Sequence, residues 1–113
     1  MDIEKTIDNW IKAGNSYDTE KYLGFYHDDA ILDDPSVGRK FIGRQGIKEY
    51  FVSYFVGYST HTRKTDLLIN GDHNANLTVE FTGTFPEGRI GGTFEITFKE
   101  NKIIHIKADL ITS

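Results

Sequence analysis

No cysteine occurs anywhere in the 113 residues, which excludes disulfide scaffolds, thiolate nucleophiles and cysteine zinc sites at once. Basic residues are also scarce: 13 Lys and Arg against 17 Asp and Glu leave a formal net charge of -4. Binding a phosphate backbone needs clustered Lys and Arg to displace counterions, so nucleic acid is not an expected partner. No apolar run approaches the roughly 20 residues that span a bilayer. The opening MDIEKTIDNW carries acids where a secretory leader needs a basic start and an apolar stretch. The expectation is a soluble cytoplasmic protein with no membrane contact. In that setting Asn76-Leu77-Thr78 reads as strand sequence rather than as a glycosylation acceptor.

Aromatic residues, by contrast, are plentiful: eight Phe, six Tyr and Trp10. A chain of this length fits one domain, 1–113, and these side chains can either fill its core or line a pocket.

Ile3, Ile7, Trp10 and Ile11 recur at helical spacing behind the capping residue Asp2, which predicts a first helix over roughly 3–14. Asp18 caps a second, shorter helix through Tyr22, Leu23, Phe25 and Tyr26, expected to end near His27. Asp28 and Asp29 would close that helix as a solvated turn. Ala30-Ile31-Leu32 reads as a short strand, broken by Pro35 and Gly38 and followed by a loop. From Gly43 to Gly57, Ile47, Tyr50, Phe51, Tyr54 and Phe55 give a third helix with a broad aromatic face.

Beyond Ser59 the period changes to two. Leu77, Val79, Phe81 and Phe85 alternate with polar residues, as do Phe94, Ile96 and Phe98, and then Ile104, Ile106, Ala108 and Leu110. With residues 60–69 that makes four antiparallel strands, and Asn70-Gly71-Asp72, Pro86-Glu87-Gly88 and Glu100-Asn101-Lys102 supply the turns. Helices first and strands afterwards predict an α+β domain, with helices over one face of the sheet and a Thr-rich polar face on the other. That polar face is either solvated or packed against a second copy.

The run WIKAGNSYDTEKYLGFYHDDAILDDPSVG, followed by FIGRQGIKEYF, resembles the SnoaL-like and ketosteroid isomerase group of the nuclear transport factor 2-like superfamily. The shared pattern is a helix ending in a polar turn, an aromatic before DDA, then DP, then a Gly-x-x-x-Ile helix start. It covers the first half closely, whereas the strand half matches only in pattern. The resemblance implies a cystatin-like, cone-shaped curved antiparallel sheet packed with three N-terminal helices, with a pocket at its open end. It also implies a homodimer through the sheet face, an apolar small molecule as partner, and no cofactor.

Such folds host enzymes, binders and assembly domains, so the site must carry any functional reading. The resemblance makes the Asp of the DP pair, Asp34, the general base that moves a proton next to a carbonyl. A carboxylate in an apolar wall suits proton transfer, although Asp34 beside Pro35 also reads as a turn residue capping local backbone. Ketosteroid isomerases of this group use a tyrosine and a protonated aspartic acid as oxyanion donors. By the same resemblance those positions fall on Trp10 and on or near Phe94, and neither donor type is retained. Tyr26 keeps one member of the supporting tyrosine network, while Phe51 replaces another.

Further pocket candidates are Tyr54, Tyr58 and His61, each with a plainer reading as core cover or exposed strand. Asp109, an acidic residue near the last strands, is a weak match to the acid or base of the polyketide cyclases. It shares parity with His105 and belongs more naturally on the outer face. His27, Asp28, Asp29, Asp33 and Asp34 lack the ordered spacing and glycine of a calcium loop, so no metal is expected. The glycines of EGRIGG lie between strands rather than before a helix, which reads as a hairpin and a close approach rather than a phosphate cradle. Three functional readings remain: acid/base chemistry on a hydrophobic carbonyl compound, non-catalytic binding of an apolar metabolite, or an assembly module.

Overall fold

The computed structural model describes residues 1–111. Helix α1 spans Ile3–Asn15, and the side chain of Asp2 accepts from the backbone N–H of Lys5 at 3.0 Å, satisfying one of the donors a helix start leaves open. Of the periodic set read from the sequence, Ile3, Ile7 and Trp10 are buried and Ile11 is half-buried. Helix α2, Thr19–Leu23, is capped in the same way by Asp18.

α2 stops at Leu23 rather than near His27, and Tyr26 opens strand β1, Tyr26–Asp34. The backbone there is captured by two other elements. The N–H of Ile103 donates to the Phe25 carbonyl, and the Arg44 guanidinium donates twice to the Tyr26 carbonyl. Asp28 and Asp29 accordingly sit on the exposed part of β1 instead of closing a helix, and Asp28 pairs with Arg44 at 3.1 Å.

The segment expected to be a loop contains strand β2, Arg39–Ile42, joined to β1 by a turn with Gly38 at φ 73° and paired so that Asp34 faces Arg39. Helix α3 runs Gly43–Phe51 and continues as a π-helical turn, Val52–Val56, before strand β3, His61–Ile69. Strands β4 (Asn74–Thr82), β5 (Arg89–Lys99) and β6 (Lys102–Ile111) complete a curved, unclosed six-stranded sheet of order β2-β1-β6-β5-β4-β3. Every pair is antiparallel except β1 with β6.

A bulge lies between the Thr97–His105 and Phe98–Ile103 pairings, so Ile103 and Ile106 are both fully inward and Ile104, expected in the core stripe, is only half-buried. Phe85 lies past the end of β4, in the connection to β5. The core gathers between the helices and the inner sheet face. The carboxamide of Asn15 seals one corner by bonding the backbone N–H and C=O of Thr62, both at 2.8 Å, as a further strand would. Among the described residues no helix is long and apolar enough to cross a membrane.

Candidate functional site

Strand parity decides which aspartate of the acidic stretch faces inward. Ala30, Leu32 and Asp34 are the buried alternates of β1, so Asp34 points under the helices while Asp33 points away. Asp34 is 5% exposed and is the one carboxylate among the described residues that is buried. A buried charge needs donors. Oδ1 accepts from the backbone N–H of Ser36 at 3.0 Å and from its hydroxyl at 2.5 Å. Oδ2 accepts from the Tyr50 hydroxyl at 3.0 Å. Each carboxylate oxygen has two acceptor positions, so Oδ1 is filled and Oδ2 keeps one open.

Sequence periodicity puts Tyr50 only on the aromatic face of the third helix, and its partnership with Asp34 depends on how α3 crosses β1. Burial, and after it the negative charge of Asp34, pushes the Tyr50 hydroxyl well above the usual tyrosine range, so it stays protonated and remains a donor.

Asp34 forms part of the wall of a cavity of about 220 Å³. Tyr50 comes from α3, and the π-helical turn carries Tyr54 and Phe55 to the same wall. π-turns recur at functional sites because the extra residue per turn re-aims the side chains that follow. Phe81 from β4, Ile90 from β5 and Leu110 from β6 supply the sheet side, while Tyr58, Phe85 and Glu87 come from the connections between elements. Among the described residues no Lys, Arg or His lines the cavity. An anion entering it would face Asp34 without a counter-charge, whereas a neutral or cationic molecule would not.

The lining hydroxyls are not equally free. Ser36 and Tyr50 donate to Asp34, and Thr60 donates to the Tyr54 carbonyl at 2.8 Å. Tyr54 and Tyr58 make no side-chain hydrogen bond among the described residues, so these two can donate to a ligand.

Of the sequence-predicted site residues, Asp34, Tyr54 and Tyr58 line the cavity. Trp10, Tyr26, Phe51 and Phe94 stand behind it in the core, all 3% exposed or less. The Trp10 indole donates to the Tyr26 hydroxyl at 3.2 Å, and that hydroxyl bonds Tyr22 at 2.7 Å. Phe51 stacks on Tyr22 at 4.0 Å between centroids, and Phe94 meets Trp10 edge to face at 5.3 Å. Burial lifts the hydroxyls of Tyr22 and Tyr26 far above their usual range, and both remain protonated. His61 is exposed on β3 and does not reach the cavity, and Asp109 is exposed on β6.

In the acidic stretch, the Nδ1 of His27 accepts from the Asp29 backbone and Nε2 faces Glu100 at 3.3 Å. Among the described residues no three His, Asp or Glu side chains gather as metal ligands. Residues missed by sequence reasoning, Tyr50, Ser36, Thr60 and Phe81 among them, carry only helix, turn or strand signals until the elements are packed together.

The curved sheet covered by helices is a fold shared with known structures. A candidate polyketide cyclase from Sinorhizobium meliloti superposes with a TM-score of 0.83 at 20% identity, covering 92% of this chain and 93% of that one. A candidate ketosteroid isomerase from Kribbella flavida gives 0.84 at 15% identity, with 96% and 77% covered. A protein of unknown function with a cystatin-like fold from Methylobium petroleophilum gives 0.84 at 16%, with 97% and 76% covered. At these identities the likeness is one of fold. No curated protein matches the sequence. The model of the SnoaL-like domain matches residues 7–112, nearly the whole length, and on that match the chain belongs to the SnoaL-like family.

Proposed function

We propose that the cavity is an acid/base site for a compact, hydrophobic, uncharged carbonyl compound, with Asp34 as the base. One observation carries this reading: the only buried carboxylate among the described residues borders an aromatic cavity with one acceptor position of Oδ2 unfilled. In the proposed step Oδ2 removes a proton from the carbon next to the carbonyl. The C–H electron pair moves into the C–C bond, and the carbonyl π pair moves to oxygen, giving an enolate. The hydroxyls of Tyr54 and Tyr58 are the free donors that would hold the developing oxyanion, in place of the donors lost at Trp10 and Phe94. Returning the proton to the same or another carbon completes exchange or isomerisation. The structural likeness to a candidate polyketide cyclase and a candidate ketosteroid isomerase supports chemistry of this class.

The test needs no knowledge of the natural substrate. Cyclohexanone in deuterated water should exchange its α-hydrogens faster with the protein than without it, as followed by proton NMR. Asp34→Asn should abolish that acceleration while leaving cyclohexanone affinity within about tenfold, because a general base contributes roughly 10²–10⁴-fold to rate. Exchange unchanged in the variant sinks the assignment.

The binder reading has its own support, since the Trp10 indole N–H is already engaged by Tyr26 and Phe94 has no donor. Recovery of an unaltered apolar metabolite from purified protein favours it, and any accelerated exchange rejects it. A homodimer through the outer sheet face is a further proposal, motivated by a polar surface bearing Asn76, Glu95, His105 and Lys107. A monomer by light scattering at micromolar concentration counts against it.

A further inference from the structure

We infer that Phe81, lying against Gly92, sets the depth of the cavity and so limits the ligand to about one six-membered ring. The inference rests on the reading that this cavity holds a compact neutral carbonyl compound.

Phe81 on β4 pairs with Ile90 on β5, and its ring leans along the sheet to Gly92, two residues further on. A Cβ built on Gly92 would fall 2.3 Å from Cε2 of Phe81 and 3.1 Å from both Cδ2 and Cζ. Gly92 does not have a left-handed backbone, so it is space and not conformation that requires glycine there. Any side chain at 92 must displace the Phe81 ring.

That ring is held edge to face between Phe55 and Phe94, at 5.9 Å from each centroid and with interplanar angles of 85° and 88°. Phe55 and Phe81 border the cavity, and Phe94 does not. Behind Phe94 stands Trp10. Phe81 is therefore the partition between the cavity and the sealed aromatic core.

The resulting volume of about 220 Å³ lies below the roughly 300–1,000 Å³ of sites for drug-sized ligands. A space of that size suits one small ring with its carbonyl rather than a fused pair of rings. Replacing Phe81 by leucine would take away the flat ring that forms the partition and open on the order of 25 Å³ contiguous with the cavity, as large-to-small core changes do. Adding a methyl at Gly92 would act oppositely, because the free space beside the ring is the cavity itself.

Titrations of cyclohexanone and 2-decalone by NMR, with circular dichroism to verify folding, test this. Wild type should prefer the single ring by about tenfold or more, the scale on which apolar pockets discriminate by size. Phe81→Leu should lower that preference at least fivefold. Gly92→Ala should weaken cyclohexanone at least fivefold, and the double variant should return to the behaviour of Phe81→Leu, because the clash is then gone. Equal affinity of wild type for the two ketones overturns the inference without any variant. So does an unchanged preference in folded Phe81→Leu, with Phe81→Met used if the leucine variant does not fold. Absence of ketone binding to wild type overturns the cavity reading and this inference together. Binding with α-hydrogen exchange but no size preference overturns this inference alone.

Discussion

Two tyrosine clusters occupy the same domain and differ in one respect. At the sealed end, Trp10, Tyr22 and Tyr26 bond only to one another among aromatic rings. At the cavity end, Tyr50 bonds Asp34, whose second oxygen keeps an open position beside a 220 Å³ space. Both clusters are buried and both hold their protons, yet only the second has an unfilled acceptor where a ligand can arrive. Burial by itself does not make a site. What separates the two is whether an open hydrogen-bonding position meets a space that a ligand can enter, and the largest consequence should appear in Asp34→Asn. That change should remove about 10²–10⁴-fold of α-hydrogen exchange, with the melting temperature little altered, since the amide oxygen can still accept from Ser36. A comparable loss of exchange on altering Tyr26 would break the distinction.

The shared property of the clusters predicts an alkaline limit on stability. Tyr22, Tyr26 and Tyr50 have folded-state pKa values raised by burial, whereas an unfolded tyrosine titrates near about 10. Below that pH neither state ionises these residues, and the stability they contribute is fully present. Above it the unfolded chain releases protons that the folded chain retains, so stability falls as pH rises. The slope reaches about 1.4 kcal/mol per pH unit for each tyrosine, or about 4 kcal/mol for the three together. Urea midpoints across alkaline pH should decline on that scale, and the tyrosinate absorbance of these three should appear only with unfolding. A flat dependence would show that the hydroxyls are reached by solvent in the folded state.

How far the two clusters were legible in the sequence follows from the range of the signals involved. Helix α1, the strand alternation of β4 and β5, and the DP position of Asp34 are local patterns, readable from period and turn chemistry. Tyr26 was not, because its helical neighbours Tyr22 and Leu23 suggest continuation, and only the distant Ile103 and Arg44 draw the backbone into a strand. β2 was hidden for a similar reason, since Arg39–Ile42 has little alternation of its own and exists by pairing with β1. The bulge that turns Ile103 inward in place of Ile104 changes parity without any marker such as glycine or proline. At the site, family resemblance reached Asp34 but assigned Trp10 and Phe94 to a pocket that Phe81 and Phe55 close off from them. EGRIGG did signal a close approach, and the ring that makes it is Phe81.

Within the sealed cluster the bond pattern predicts an asymmetry. Tyr26 accepts from Trp10 and bonds Tyr22, so Tyr26→Phe leaves two buried polar groups without partners. Tyr22→Phe removes one bond only. With about 1–3 kcal/mol for each unsatisfied buried group, urea denaturation should find Tyr26→Phe the more destabilising of the two, with exchange chemistry unaffected in both. Equal costs would mean that the Trp10 N–H finds another acceptor, or that a water already serves the cluster.

The same chemical change at the cavity end should be milder for stability and visible in rate. Tyr50→Phe deletes the donor to Asp34 Oδ2, but both residues line the cavity, where water can replace the lost hydroxyl. A net cost of about 0.5–1.5 kcal/mol is expected, the ordinary value of one hydrogen bond rather than of an orphaned group. The carboxylate stays fixed by the backbone and hydroxyl of Ser36 through Oδ1 alone, and it gains freedom to swing about that anchor. Exchange should then slow by about tenfold with ligand affinity nearly constant, since a base must be positioned within hydrogen-bond reach of the proton it removes. If Tyr50→Phe costs as much stability as Tyr26→Phe and leaves the rate untouched, the two clusters are of one kind, and Tyr50 belongs to the core instead of the site.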